Sequence, residues 1–374
     1  MKSRLSLSIF AAVSSVAAAS PLPPLPSGGL YRGADMSYVN EMQDCGAVYR
    51  LHSKPIDPFR LFKREGGNLV RVRIWVNPAW TRYSNYADVL KTIGRAHAAG
   101  LQVLLDFHYS DTWADGGKQI APAAWANLSE DQQVKALHDY TLDTLKRLDA
   151  QHQMPEMVQV GNETNPELLG GKVAGPPINW ERNARLLNAG IEAVHEAGRS
   201  GSKTPRIMLH IAQPENILPW FDAATNAGVR SYDIIGMSYY AKWSKWNLAQ
   251  LKSTIAEAKR RYGKDVIVVE TAYPFTLKNA DAMPNLLGSD SLIPGYPATP
   301  EGQHRYMVDL TQLTIDAGGT GVVYWEPYWV STQCRTPFGQ GSGWENATWF
   351  DYKRHEVLPV FEWLHHRYVR RKSD

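Results

Sequence analysis

The sequence predicts an α/β fold in which eight parallel strands close into a (β/α)8 barrel, a single domain with long loops after its strands. Short apolar runs of Val, Ile, Leu and Met recur along the chain, the composition of strands covered on both faces. Amphipathic stretches separate these runs, as helices connecting parallel strands must. No Gly-x-Gly-x-x-Gly follows an early run, which disfavours an open dinucleotide-binding sheet.

The expected strands are Leu30–Asp35, Leu69–Val76, Gln102–His108, Met157–Glu163, Arg206–Ile211, Asp233–Tyr239, Val266–Glu270 and Thr320–Glu326. Expected helices are Tyr86–Ala99, Glu130–His152, Trp180–Ala197, Asn247–Tyr262 and Pro300–Ala317. Gly100 and Gly318-Gly319 mark helix ends, and Ser129-Glu130-Asp131-Gln132 reads as a capping-box start. The loops 110–126, 272–299 and 327–350 are long and rich in Gly, Pro and Trp, which suits a cleft built on a rigid scaffold.

The flanks read differently from the barrel. Residues 1–20 have a basic start, an apolar middle and a small-residue exit, the pattern of a secretory signal peptide too short to span a bilayer. Residues 21–29 (Pro-Leu-Pro-Pro-Leu-Pro-Ser-Gly-Gly) form a stiff spacer, residues 30–368 the catalytic domain, and residues 369–374 a basic tail. The expected protein is secreted or periplasmic, monomeric and free of the membrane once its leader is removed. A net charge of +3 from 40 basic and 37 acidic residues creates no field that would draw nucleic acid, and the cluster from His365 to Lys372 reads as a solvated helix end. Thirteen Trp and eighteen Tyr supply flat faces suited to stacking on sugar rings, although most such residues in any protein are core.

In a barrel of this kind chemistry sits at the C-terminal ends of the strands. Polar and aromatic residues gather there: Asp35, Arg73 with Trp75, His108 to Asp111, Asn162-Glu163, His210, Tyr239-Tyr240, Glu270 and Trp325-Glu326. Glu163 and Glu270 each close a β-branched run, three strands apart, so both can be aimed at one bond. Two carboxylates about 5 Å apart repel by roughly 3 kcal/mol at an effective dielectric of about 20, equivalent to about two pKa units. One then stays protonated while the other is ionised, the division of labour a glycosidase needs. Asn162 sets an amide beside the first carboxyl, suited to a sugar hydroxyl.

The stretches Gly33-Ala34-Asp35-Met36-Ser37, Val72-Arg73-Ile74-Trp75-Val76-Asn77-Pro78, Asp106 to Asp115 (Asp-Phe-His-Tyr-Ser-Asp-Thr-Trp-Ala-Asp), Gln159-Val160-Gly161-Asn162-Glu163, Glu270-Thr271-Ala272-Tyr273-Pro274 and Tyr324-Trp325-Glu326-Pro327 together resemble the endo-β-1,4-galactanase family of retaining glycoside hydrolases. The resemblance runs from Gly33 to about Asp351. It implies endo cleavage of β-1,4-galactosidic bonds in galactan or type I arabinogalactan, with Glu163 as acid/base and Glu270 as nucleophile. It further implies that Asp35, Arg73, His108, Asn162, Tyr239 and Trp325 surround the cleaved sugar, with Asp111, Trp113, Lys118 and Trp125 on the glycone side. Within that scheme Arg73 is expected to hold the nucleophile ionised, Tyr239 to donate to it, and Trp325 to floor the subsite.

No cofactor or catalytic metal is expected. Some similar proteins bind a structural calcium near the loop 276–299, but Asp281 and Asp290 are too few and too far apart for an oxygen cage. Cys45 follows the first strand and Cys334 the eighth, neighbours in a closed barrel, so a bridge between them would tie the last loop across the seam; two unpaired thiols are the alternative. Asn127-Leu128-Ser129 and Asn346-Ala347-Thr348 fit the glycosylation pattern. The competing readings are a retaining β-glycanase on mannan or glucan, a non-catalytic carbohydrate-binding barrel, and a metal-dependent hydrolase, the last lacking a His-x-His on its first strand.

Overall fold

The computed structural model describes residues 29–172 and 177–369. The expected leader, nearly all of the spacer and most of the basic tail lie outside them. Eight parallel strands form a closed barrel: β1 (Tyr31–Asp35), β2 (Leu69–Ile74), β3 (Gln102–Phe107), β4 (Met157–Val160), β5 (Arg206–Ala212), β6 (Ile234–Ser238), β7 (Asp265–Glu270) and β8 (Gly321–Tyr324). Each pairs with its neighbours in sequence, and the seam closes where Tyr31 of β1 lies beside Gly321 of β8.

Side chains alternate across a strand, and in β2 to β5 the inward positions change character along the barrel axis. Leu69, Leu104, Met157 and Met208 join Tyr31, Ile234, Ile267, Val269 and Val323 in an apolar plug at the N-terminal end. Two residues further on, the same faces carry Arg71, Asp106, Gln159 and His210, which hydrogen-bond to one another and to the strand ends. Outward positions pack under the helices in a second, larger core. The plug thus supports a polar layer from below.

The connecting helices are α1 (Val39–Asp44), α2 (Pro58–Arg64), α3 (Tyr86–Ala98), α4 (Glu130–Ala150), α5 (Trp180–Ser200), α6 (Pro214–Asn226), α7 (Leu248–Tyr262) and α8 (Pro300–Asp316). The capping box at Ser129 and Gln132 is present, and Asn247 with Gln250 forms another. Three helices went unpredicted. Helix α6 has no side-chain cap and contains Pro219 in its interior, which outweigh the one start signal it has, Pro214 at its first position. Helices α1 and α2 span only six and seven residues, too short for a clear period. The expected C-terminal helix end at His365 follows a six-residue 3-10 helix, Pro359–Leu364, instead.

A disulfide joins Cys45 to Cys334, with Cα atoms 5.6 Å apart across 289 positions of sequence. It fastens the chain after α1 to the loop that follows β8. A cross-link of this kind contributes about 2–4 kcal/mol, mainly by restricting the unfolded chain. Asn127 is exposed, but Asn346 is fully buried and donates to Thr276 O and Leu287 O, so the second glycosylation pattern is closed to modification in the folded protein. Among the described residues no helix is long and apolar enough to cross a membrane.

Candidate active site

A cavity of about 720 Å³ opens at the C-terminal mouth of the barrel, and both glutamates line it. Glu163 follows β4 through Gly161 and Asn162. Gly161 has φ +85°, and a Cβ there would meet Thr164 Cγ2 at 2.5 Å, so only glycine makes the turn. Glu163 itself sits at φ +45°, a left-handed conformation uncommon outside glycine and concentrated at functional sites. Glu270 is the last residue of β7. A shift in register between Met237 and Ser238 places Ser238 opposite Glu270, bringing the ends of β6 and β7 level. A carboxylate oxygen of each glutamate and a ring nitrogen of His210 all lie within 4.8 Å of one another.

The two carboxyl groups have different partners. Arg71 Nη1 donates to Glu270 Oε1 at 2.6 Å, and the Tyr240 hydroxyl donates to Oε2 at 3.1 Å. The same guanidinium donates to Asp35 Oδ2, Asp106 Oδ2 and Asn162 Oδ1. Glu163 receives neutral donors: Ser238 Oγ at 2.5 Å on Oε1 and the Gly116 amide at 3.1 Å on Oε2.

Burial pushes Glu270 up to about 8, opposed by Arg71 and reinforced by Glu163, Asp106 and Asp35. Burial also raises Glu163, while Ser238 and Gly116 pull it down. Two raised carboxyls that feel each other titrate as a pair. Hydrogen bonding then decides which holds the shared proton. Each carboxyl has a donor on both oxygens, but only Glu270 has a cation among them, so Glu270 is the ionised member and Glu163 the protonated one. Around them, burial raises Asp106 but Arg71 and His108 outweigh it and hold Asp106 below its ordinary value.

The expected site residues divide into two sets. His108, Trp113, Lys118, Asn162 and Trp325 line the cavity with the two glutamates. His108 Nε2 meets Asp106 Oδ2 at 3.0 Å, and Asn162 is locked by its amide donating to Ala114 O at 2.8 Å. Asp35, Arg73, Asp111, Trp125 and Tyr239 do not line it.

Each of the latter corrects an expectation. Arg73 does not reach the nucleophile; it pairs with Glu326 and lies over the rings of Tyr38, Trp75 and Trp113 at 4.4, 5.1 and 4.5 Å. Arg71 takes the role because it sits one inward position deeper, level with the polar layer, whereas two residues of strand carry Arg73 about 6.6 Å towards the mouth. Tyr239 donates to Trp246 O at 3.3 Å, on the face opposite Ser238, while Tyr240 shares the Ser238 face and reaches Glu270. Asp35 accepts from Ser37 and Arg71, so it orients the arginine rather than a sugar. Asp111 accepts from the amides of Asn77 and Ala123, clipping two loops together. Trp125 is buried against Tyr140 of α4, with ring centroids 5.8 Å apart.

Other cavity residues carried weaker signals in the sequence. Tyr38 stacks on Trp329 at 4.1 Å, Trp344 holds Trp325 through its indole N–H, and Phe338 and Trp243 stand exposed at the rim. These aromatic residues come from loops, where no periodicity marks them.

Glu163, His210 and Glu270 form the one group of metal-type ligands among the described residues. His210 is spent on hydrogen bonds at both ring nitrogens, to Glu163 N at 3.3 Å and Ser238 Oγ at 2.9 Å, which leaves the trio without a nitrogen lone pair for an ion. Asp281 accepts from Met283 N, Ser331 Oγ and Ser342 N, and Asp290 pairs with Lys242, so these two acids sit in separate networks.

The sequence model of glycosyl hydrolase family 53 matches residues 31–364. The chain is 54% identical over 336 residues to an arabinogalactan endo-β-1,4-galactanase of Cellvibrio japonicus (strain Ueda107), covering 88% of this chain and 89% of that protein. It is 35% identical to an endo-β-1,4-galactanase of Bacillus subtilis (strain 168), over 86% of this chain and 77% of the other. The family 53 catalytic domain from Ignisphaera aggregans superposes with a TM-score of 0.84 at 31% identity, covering 94% of this chain and 99% of that one. With two carboxyls converging at a barrel mouth and a match along nearly the whole described chain, this protein belongs to glycosyl hydrolase family 53.

Proposed function

We propose that this protein is an endo-acting, retaining glycoside hydrolase that cleaves β-1,4-galactosidic bonds in galactan and type I arabinogalactan. The observation that carries the mechanism is the approach of Glu163 and Glu270 to within 4.8 Å, the short spacing of a double displacement rather than the wider one that admits a water between acid and base. Glu270 attacks the anomeric carbon while Glu163 protonates the departing oxygen. Glu163 then takes a proton from water, which releases the sugar from Glu270 with its configuration kept. Asn162, His108, Trp113, Lys118 and Trp325 bind the chain around this point. The substrate rests on the names of the relatives, and the carboxyl pair supports the reaction.

The same reading makes the protein a secreted or periplasmic monomer, with residues 1–20 as its leader and residues 30–368 as the catalytic domain. It requires no metal, because proton and nucleophile both come from carboxyl groups. The test is digestion of unbranched β-1,4-galactan, mannan and cellulose with product-length analysis and NMR of the fresh anomer. The expected result is oligosaccharides from galactan released first as the β-anomer. An initial α-anomer, or preference for mannan or cellulose, overturns it.

A further inference from the structure

The hydrogen bonds behind Glu163 determine which of its oxygens carries the acidic proton. The amide N–H of Glu163 has one acceptor among the described residues, Nδ1 of His210 at 3.3 Å. Leaving an N–H in such a site unpaired is costly, so Nδ1 presents its lone pair. Asn162 Oδ1 also lies 3.0 Å from Nδ1, but it already accepts from Arg71 Nη2 at 2.7 Å and Gln159 Nε2 at 3.2 Å. A neutral imidazole has one proton, which must then be on Nε2, and the partner of Nε2 is Ser238 Oγ at 2.9 Å. A hydroxyl that accepts from the imidazole turns its own hydrogen away, and Glu163 Oε1 lies 2.5 Å from it. His210 is fully buried, and burial followed by Arg71 holds it well below its ordinary pKa, in keeping with a neutral imidazole.

We propose that Ser238, backed by His210, is a positioning residue that keeps Oε1 of Glu163 a permanent acceptor and confines the transferable proton to Oε2. Oε2 accepts the longer bond, from the Gly116 amide at 3.1 Å, and as a protonated oxygen it keeps acceptor capacity for that bond while its O–H is free to donate; the Gly116 loop lines the cavity. When Oε2 gives up its proton to the leaving oxygen, the serine hydrogen bond remains and holds the new carboxylate. No proton passes through Ser238 or His210. This inference rests on Glu163 being the acid/base. The charged and titratable groups around Glu163 are Asp115 and Lys118 on the loop after β3, Arg71 on β2, Glu270 on β7 and Tyr240 after β6. His210 on β5 also faces Glu163; replacing Ser238 takes the acceptor from its Nε2–H but leaves it neutral and changes none of the other groups, so an altered titration of Glu163 reports the lost hydroxyl.

The test is the pH profile of kcat/KM on galactan for Ser238→Ala. The alkaline limb, set by loss of the acid's proton, moves up by roughly one unit, because a hydrogen bond to the charged form is gone. On galactan kcat falls about tenfold while KM stays within about twofold. On an aryl β-galactoside whose phenolate leaves without protonation, the defect in kcat/KM disappears, because that ratio covers only the first step, whereas kcat also reads the second, in which Glu163 is the base. Ser238→Cys, nearly isosteric with a weaker donor, lies between wild type and Ala, and thermal melting verifies that each variant folds. An alkaline limb unmoved in either folded variant overturns the proposal, as does a kcat/KM defect equally large on the aryl substrate. Glu163→Gln is measured alongside: normal turnover there removes the functional reading itself, whereas an inactive Glu163→Gln with wild-type Ser238 profiles removes only this inference.

Discussion

The two halves of the carboxyl pair are built from different materials. Around Glu270, Arg71 supplies a fixed positive charge that it also extends to Asp35 and Asp106, and Tyr240 closes the other oxygen. Around Glu163 the donors are a serine hydroxyl and a backbone amide, neither of which carries charge. Both carboxyls are raised by burial, yet only one has a cation in contact. Identical side chains thus become base-like and acid-like through their neighbours alone, which is how one fold runs both steps near neutral pH.

The largest way to break this contrast is to remove each carboxyl in turn. Glu270→Ala is expected to lose about four orders of magnitude or more in turnover on every substrate, because no covalent intermediate forms. Glu163→Ala is expected to lose about 10²–10⁴ in kcat/KM on galactan, the ordinary contribution of a general acid, but far less in kcat/KM on an aryl galactoside with a good leaving group. Steady-state kinetics on both substrates measures the difference, and equal losses for the two variants would abolish the asymmetry.

A smaller but sharper probe compares the arginines of β2. Arg71→Gln leaves three buried carboxylates facing a neutral amide and is expected to cost about 3–5 kcal/mol in stability, besides slowing the attack of Glu270. Arg73→Gln loosens Tyr38, Trp75 and Trp113, so KM for galactan rises while the pH dependence of kcat keeps its shape. Both variants strand a buried carboxyl, Glu326 in the case of Arg73, so pH profiles rather than melts separate them; a changed kcat profile in the Arg73 variant would contradict its placement away from the nucleophile.

The smallest expected effect lies in the adjacent tyrosines. Tyr240→Phe removes a hydrogen bond to an ionised group and is expected to slow kcat roughly tenfold. Tyr239→Phe removes only a bond to a loop carbonyl and is expected to stay within about twofold. Reversal of that order, measured on one galactan preparation, would mean that Tyr239 rather than Tyr240 faces the substrate.

Part of this site could be read directly from the chain. Apolar runs ending in Asn162-Glu163 and Glu270 place both carboxyls at strand ends, and the strand period carries them to one mouth. The same period also distinguishes Tyr240 from Tyr239, since Ser238 and Tyr240 share a face, but that parity is useful only once the inward face of β6 is known. No comparable rule separates Arg71 from Arg73, which have the same parity and differ in depth. Trp125 and Asp111 are likewise indistinguishable from cleft residues in sequence, because a loop has no period to say which side meets solvent.

The sequence by itself determined the alternation of strands and helices, the capping box at Ser129 and the two acidic strand ends, all of which depend on spacing within a few residues. Only the tertiary structure decided which arginine meets Glu270, which serine stands behind Glu163, that Cys45 bonds Cys334, and that Pro214–Asn226 is helical despite its internal proline. Those outcomes depend on how far each strand is shifted along its neighbour when the barrel closes, a quantity fixed by packing of all eight strands together.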